Sequence, residues 1–302
     1  MRRIVAFVAS VALLASACGE GSSGSPARSS SKTESGFPAT VGNVVIEARP
    51  ERIVSLSPTS TEMLFAVGAG DQVVAVDDQS DYPPEAPTTD LSAYEPNVEA
   101  IAGYEPDLVV ASDGGALRSL KDLKIPLLVH PAAADLDETY AQIEELGTAT
   151  GHEDQAAAEV ERMRSRIEEI VAEVPVNTEA PTYYHELDDT YFTVTSDTFI
   201  GQVYKLAGLR NIADEADKAG TGYPQLSAEY IIEADPDFVF LADSECCGQT
   251  PERVARRPGW DQIAAVQRGA VFDVGDDVSS RWGPRVVEFL EIVVDARTGV
   301  ES

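Results

Sequence analysis

"VEAIAGYEPDLVVASD" occupies residues 98–113, and "AEYIIEADPDFVFLAD" occupies residues 228–243. The offset is 228 − 98 = 130 positions, without a gap. Six of the sixteen positions are identical: Glu99/Glu229, Ile101/Ile231, Pro106/Pro236, Asp107/Asp237, Val109/Val239 and Asp113/Asp243. Others exchange like for like, Glu105 for Asp235 and Leu108 for Phe238. Each copy reads as a short helix followed by a buried strand. Asn97 and Ser227 are good N-cap residues, and an apolar run follows each Pro-Asp pair. Two copies at so long a period indicate duplicated domains rather than a solenoid array.

The chain around the first copy alternates in the same way. "RIVSLS" (52–57) reads as a strand, "PTSTEMLFAVG" (58–68) as a helix with Thr59 as cap and Gly68 as stop, and "DQVVAVD" (71–77) as a strand. "SDYPPEAP" is a Pro-rich loop, "ALRSLKDLK" a helix and "IPLLVH" (125–130) a strand. Alternating strands and helices predict an α/β fold with parallel sheets. Residues 135–174 break the rhythm. "DLDETYAQIEELGTATG" is one helix, and "HEDQAAAEVERMRSRIEEIVAEV" a second with no Pro or Gly inside. Ala156, Val160, Met163, Ile167, Ile170 and Val174 recur on it at three- and four-residue spacing. Such a helix is about 30 Å long and serves either as a surface helix or as a rod joining two domains.

Alternation then restarts. "TYYHEL" and "YFTVTS" read as strands, "DTFIGQVYKLAG" (197–208) as a helix, and "PDFVFLAD" and "AVFDV" as strands. A helix lies near "ERVARR", and the last helix is "PRVVEFLEIVVDAR". The expected organisation is an N-terminal lobe at 37–151, a bridging helix at 152–174 and a C-terminal lobe at 175–302.

What precedes the fold is of a different kind. "MRR" is a basic start, and Ile4 to Ala17 is an apolar run too short for a membrane span but right for a secretory signal over residues 1–17. The run ends in "LASAC", which resembles the lipobox of bacterial lipoproteins. That resemblance implies a diacylglyceryl group on Cys18, although the usual Leu three places before the cysteine is Ala15 here. Ordinary signal cleavage near Cys18 is the alternative. Eleven of the eighteen residues 19–36 are Gly or Ser, so residues 18–36 read as a lipidated cysteine and a flexible tether with a reach of roughly 20–25 Å. Export to the outer face of the cell membrane, with only the lipid touching it, is expected.

Of 302 residues, 52 are Asp or Glu and 22 are Lys or Arg, a formal charge of −30. Such a surface repels nucleic acid and anionic headgroups, and no nucleic-acid partner is expected. A hydrophobic fraction of 43% is that of a globular protein.

Glu99 and Glu229 fall in the first turn of their helices. The helix dipole alone favours acids there. It accounts less well for both copies keeping a glutamate while Ala100 and Tyr230 beside them diverge. Two carboxylates on two joined lobes form matched prongs for a two-fold, basic partner. "RIVSLSPTSTEMLFAVGAGDQVVAV", "SDYPP", "NVEAIAGYEPDLVV" and "LSAEYIIEADPDFVF" together resemble the helix-bridged substrate-binding proteins of bacterial ABC importers, which handle cobalamin, ferric siderophores and haem. The resemblance covers residues 50 to 298. It implies two parallel-sheet α/β lobes joined by one long helix, with the ligand in the cleft between them. It further implies that Glu99 and Glu229 dock on arginines of a permease dimer driven by its cytoplasmic ATPase, and that the protein is a monomer with no cofactor.

In parallel sheets a ligand sits beyond the carboxyl ends of the strands. The corresponding loops carry Ser57, Gln79, Tyr82, Tyr94, Tyr191, Tyr223 and Trp282. Aromatic faces suit a large, flat ligand. Arg281 and Arg285 flank the start of the last helix, where the dipole disfavours cations, so either a salt bridge or a ligand holds them. Cobalamin-binding members of the family are the most similar. They share "SDYPP" and the set Asp277, Arg281, Pro284 and Arg285, whose counterparts touch the corrinoid. An aromatic of those members is Gln79 here, and two cleft tryptophans are Tyr94 and Tyr223. A corrinoid is therefore the expected ligand, with a ferric siderophore or haem as the alternative.

Cys246 and Cys247 are adjacent in a chain bound for an oxidising compartment. A bridge there spans Cα atoms about 3.8 Å apart, below the usual disulfide range. A vicinal disulfide, a free thiol pair and a soft-metal site are the options, and export favours the disulfide. His130 and His185 end strands in opposite halves, but without CxxC or HExxH no metal site is expected. No GxSxG elbow or phosphate loop is present, and "GAGDQV" follows a helix rather than a strand. A binder rather than an enzyme is expected, an exported hydrolase being the remaining alternative. A purely structural or adhesive lipoprotein has no fibrous or repetitive sequence in its favour.

Overall fold

The computed structural model describes residues 36–176 and 179–301. The signal segment, Cys18 and nearly all of the Gly/Ser tether lie outside the described residues. A small antiparallel hairpin opens the fold, β1 (Ala39–Val41) against β2 (Val44–Ile46).

The first α/β lobe contains β3 (Ile53–Leu56), α1 (Pro58–Ala66), β4 (Val73–Val76), α2 (Val98–Ala102), β5 (Leu108–Ala111), β6 (Leu127–Val129) and α3 (Leu136–Thr150). α4 (Glu153–Ala172) follows. The second lobe contains β7 (Thr182–Glu186), α5 (Phe199–Leu206), β8 (Arg210–Asn211), α6 (Ala228–Ala234), β9 (Phe238–Leu241), α7 (Ser244–Cys247), α8 (Pro251–Val254), α9 (Ala264–Arg268), β10 (Val271–Asp273), α10 (Asp276–Ser280) and α11 (Val286–Glu301).

The two main sheets are parallel and share one strand order. The first runs β4-β3-β5-β6 and the second β8-β7-β9-β10. The duplicated stretch therefore supplies the same position in each, beside the lobe's opening strand. Ile53 pairs with Leu108, and Tyr183 pairs with Phe238.

Packing accounts for most of the repeated identities. Ile101 and Ile231 are buried under their sheets, and Val109 and Val239 are core strand residues. Glu105 and Asp235 both take positive φ, 49° and 47°, in the turn between helix and strand, each directly ahead of a buried proline. The aspartates after those prolines clamp the neighbouring strand. Asp107 accepts the backbone N–H groups of Glu51 and Arg52 at 2.8 and 3.0 Å, and Asp237 accepts that of Thr182 at 2.9 Å. Alternate strand residues enter two core layers: Ile53, Leu108 and Val110 face one side, and Val54, Val109 and Ala111 the other.

α4 is 20 residues long, about 30 Å. It buries Ala156, Val160, Met163, Ile167 and Ile170, the expected face. Its core side is continuous with both lobes. It is tied to the second lobe by Arg166 on Glu291 of α11, with Nε 2.6 Å from the carboxylate.

Two expected elements differ. "YFTVTS" is not a strand: Phe192 makes an isolated antiparallel bridge to Gln225, and the sheet position goes to β8. The segment lies between β7 and α5, too soon after β7 to return parallel, since parallel strands need a long crossover. "ALRSLKDLK" forms a 3-10 helix at Arg118–Leu123.

Candidate functional site

The loops at the carboxyl ends of the two sheets meet over a buried ionic cluster. α1 begins directly after β3, with Ser57 as its N-cap: the Ser57 hydroxyl accepts the Ser60 N–H at 3.3 Å. Thr59, the cap expected from sequence, is inside the helix. Capping consumes the Ser57 hydroxyl, which is buried. One turn on, Glu62 is only 3% exposed and points toward the second lobe. Arg281, 7% exposed, places Nη1 2.8 Å from its Oε1. The same guanidinium lies 2.7 Å from Asp277 and 3.3 Å from Asp81, and donates to the Gln79 carbonyl at 3.2 Å. Arg285 adds Nη1 at 3.3 Å from Glu62 and Nε at 3.4 Å from Glu288, with its guanidinium 4.3 Å above the Tyr82 ring. Burial raises the Glu62 carboxyl above its usual value, opposed by Arg281 and then Arg285.

Arg281 makes the salt bridge that was one of its two sequence readings. Four acceptors take the guanidinium, three of them in the first lobe, and so it joins the lobes across the cleft floor. Neither Glu62 nor Asp81 is among the ligand contacts expected from the sequence. An acid one turn into a helix that buries Thr59, Thr61, Met63 and Leu64 around it was the available signal. Trp282 is also engaged, its Nε1 donating to Gln142 Oε1 at 3.0 Å. Glu62, Tyr82 and Arg285, with Arg162 and Arg166 of α4, line a cavity of about 650 Å³ where the lobes meet the bridging helix.

The aromatic residues divide into two groups. Tyr94 is 85% exposed and Tyr223 50%. Tyr191 turns inward at φ 71° and stacks on Trp260, with centroids 6.1 Å apart. Its neighbour Phe192 is instead the outward ring of that loop, 39% exposed. The backbone of 191–195 pairs with 222–226 through Thr193 to Pro224 and Thr195 to Gly222, which sets Phe192 opposite Gln225, two residues along the chain from Tyr223.

Beneath the second-lobe loops, Glu186 is fully buried and holds Arg257 by two bonds of 2.6 Å. Asp243 is buried next to it, its carboxyl set against that of Glu186. Burial, and then the charge of Glu186, pushes its carboxyl up to about 8. The nearby surface is acidic: Glu245 lies within electrostatic range of Asp276, Asp277, Asp273 and Asp81. Cys246 and Cys247 are disulfide-bonded in exposed α7. His130 bonds Glu145 at 2.9 Å and His185 bonds Tyr204 at 2.8 Å. Burial lowers His185 to about 3. Among the described residues no group of three His, Cys, Asp or Glu side chains is placed to hold a metal.

Asn97 caps α2 by accepting the Glu99 and Ala100 N–H groups, and Ser227 caps α6 by accepting that of Tyr230. Both Glu99 and Glu229 are exposed in the first turn. They are the identical pair exposed in both copies, with neither a core contact nor a clamp to explain it.

Two parallel-sheet lobes, one bridging helix and a cleft between the lobes define the class of helix-bridged binding proteins. The chain belongs to the Periplasmic binding protein family, whose model matches residues 53–278. It is 32% identical over 301 residues to the "Uncharacterized ABC transporter substrate-binding lipoprotein YvrC" of Bacillus subtilis, covering 94% of this chain and 93% of that one. It is 32% identical over 268 residues to a cobalamin-binding protein of Halobacterium salinarum, covering 84% and 71%. A solved structure of a possible iron-binding, periplasmic solute-binding protein of Staphylococcus epidermidis superposes with a TM-score of 0.72 at 28% identity, covering 82% and 99%. The chain is a substrate-binding protein of the ABC importer type. Among the described residues no helix is long and apolar enough to cross a membrane.

Proposed function

We propose that this chain captures a corrinoid outside the cell membrane, held there by a lipid on Cys18, and delivers it to an ABC importer. Arg281 carries the reading. Its charge is spent on Glu62, Asp81 and Asp277, and Arg285 is likewise engaged by Glu62 and Glu288. The surrounding rim is acidic. A ligand bearing carboxylates, such as haem with its propionates, meets repulsion there, whereas a broad ring edged with neutral amides does not. Exposed Tyr94, Phe192 and Tyr223 offer faces for such a ring. Likeness to a cobalamin-binding protein over most of the chain supports the same choice. Glu99 and Glu229 dock the loaded protein on the permease dimer, one lobe to each subunit. The chain acts as a binder without chemistry of its own.

A ferric hydroxamate siderophore is the second reading, because an acidic rim also suits a neutral or cationic metal complex. Absorbance and mass spectrometry of protein purified from its own host, followed by titration with cyanocobalamin and with a ferric hydroxamate, separate the two. One corrinoid per chain is expected. Binding of the hydroxamate without the corrinoid overturns the first reading, and turnover in an esterase or phosphatase screen overturns both.

A further inference from the structure

The Cys246–Cys247 bridge is the sequence feature that ligand capture and docking leave unexplained. It lies in α7, a helix of four residues that begins two residues after β9, at the carboxyl end of the second sheet. So short a helix has no stability of its own. The structure holds it from three sides. Asp276, the first residue of α10, accepts the Glu245 N–H at 3.1 Å and the Cys246 N–H at 2.8 Å. Ser244 donates to Asp273 at 2.8 Å. Arg253 donates to the Cys247 and Gly248 carbonyls. Both cysteines are exposed.

The clip leads to the cleft floor in two steps. Asp276 holds α7, and the next residue, Asp277, lies 2.7 Å from Arg281, which grips Glu62 and Asp81 of the first lobe. Glu245 of α7 is itself within electrostatic range of Asp81. α7 thus forms part of the second-lobe wall facing the first lobe.

We propose that Cys246–Cys247 is a thiol-exchange site whose reduction by a dithiol loosens this wall. A thiolate of the dithiol attacks one cysteine sulfur and the Cys246–Cys247 bond breaks. The mixed disulfide is then displaced by the second thiol of the reductant, which leaves as a cyclic disulfide. Two electrons and two protons pass to the protein, giving two cysteine thiols. The covalent ring that fixed the peptide between the two residues is gone, their side chains regain rotamer freedom, and the Asp276 bonds must hold α7 unaided. The exposure of both cysteine residues gives the reductant access.

The experiment is amide hydrogen exchange on the full chain, oxidised and after treatment with dithiothreitol, with alkylation and peptide mapping to verify reduction. Exchange in 243–249 rises about five-fold on reduction, as expected when one tether's worth of hydrogen-bond stabilisation is lost. A smaller rise follows in 276–281. The C246S/C247S double variant exchanges fast with or without dithiol. Unchanged exchange in 243–249 after verified reduction overturns the proposal, as does full alkylation of both cysteines in untreated protein from an oxidising compartment. Should the double variant fail to fold, the dithiol comparison on the native chain decides alone. The consequence for ligand rests on the binding reading: reduced protein holds cyanocobalamin several-fold more weakly. Fast exchange without corrinoid binding in either state sinks that reading and leaves the exchange site standing.

Discussion

Arg281 Nη1 and Glu62 Oε1 lie 2.8 Å apart across the junction of the two lobes, both side chains almost wholly removed from water. A charge buried that deeply is tolerable only with its partner in place. Arg281→Ala leaves Glu62 with Arg285 alone at 3.3 Å and is expected to cost about 3–5 kcal/mol of folding stability. Glu62→Gln combined with Arg281→Met removes both charges and should recover most of that loss. Urea midpoints of the three variants check this. A single-variant loss below about 1 kcal/mol would mean that the pair behaves as a surface bridge.

Asp243 makes stability fall as pH rises through the mildly acidic to neutral range. In the fold its carboxyl is pushed up to about 8, first by burial and then by Glu186, whereas the unfolded chain releases that proton at 3.8. Between those values the unfolded state binds fewer protons than the fold, so stability falls as pH rises from about 4 to about 8 and levels off above. Glu62 and Asp77, also raised by burial, act in the same direction. Asp243→Asn removes its share of the slope and is expected to be more stable than the parent at pH 8, with the gap closing toward pH 4. Equal pH slopes in the two proteins would show that Asp243 is ionised in the fold.

His185 governs the acid side with the opposite sign. Burial depresses it to about 3 from an ordinary 6.5, and it is seated on the Tyr204 hydroxyl. The unfolded chain takes up a proton below about 6.5 that the fold refuses, so stability is lost as pH falls from there toward 3. His185→Gln should flatten that limb of the profile, measured by thermal melts from pH 7 to pH 4. An unchanged acid limb assigns the loss to other groups.

The sheets were legible because the duplication repeats what packing requires. Pro-Asp clamps a strand in both lobes, and Ile and Val recur where the core needs them. The bridging helix was legible from its apolar spacing. Side-chain assignments in the cleft were less so, because they depend on what a residue meets across the fold. Arg281 had two readings in sequence, because its partner Glu62 is 219 positions away. "YFTVTS" has strand composition, yet its place between β7 and α5 leaves it outside the parallel sheet. Tyr191 and Phe192 are both aromatic loop residues by sequence, and only the positive φ at Tyr191 decides which ring turns inward.

That distinction is testable. Phe192→Ala and Tyr223→Ala remove rings exposed on paired segments and should each weaken ligand binding about ten-fold with little change in melting temperature. Tyr191→Ala removes a stack on Trp260 and should cost about 1–3 kcal/mol of stability instead. Titration calorimetry beside thermal melts separates the two effects. Were Tyr191→Ala to abolish binding while leaving stability intact, the inward ring would be the ligand's.

Glu99 and Glu229 remain exposed in helices whose caps, Asn97 and Ser227, satisfy the backbone without them. Neither carboxylate is needed by the fold, so Glu99→Ala or Glu229→Ala should change stability by less than about 0.5 kcal/mol. Ligand affinity should also be unchanged, because both side chains are exposed and neither joins the ionic cluster on the cleft floor. Uptake into cells is expected to slow with either substitution and to fall further with both, since each lobe loses its grip on one permease subunit. Charge reversal to lysine should be worse than alanine, repelling the basic partner outright. Loss of ligand binding in the purified Glu99→Ala protein would make that residue part of the cleft and end its docking role, while unimpaired uptake with both alanines would remove the docking role from the pair.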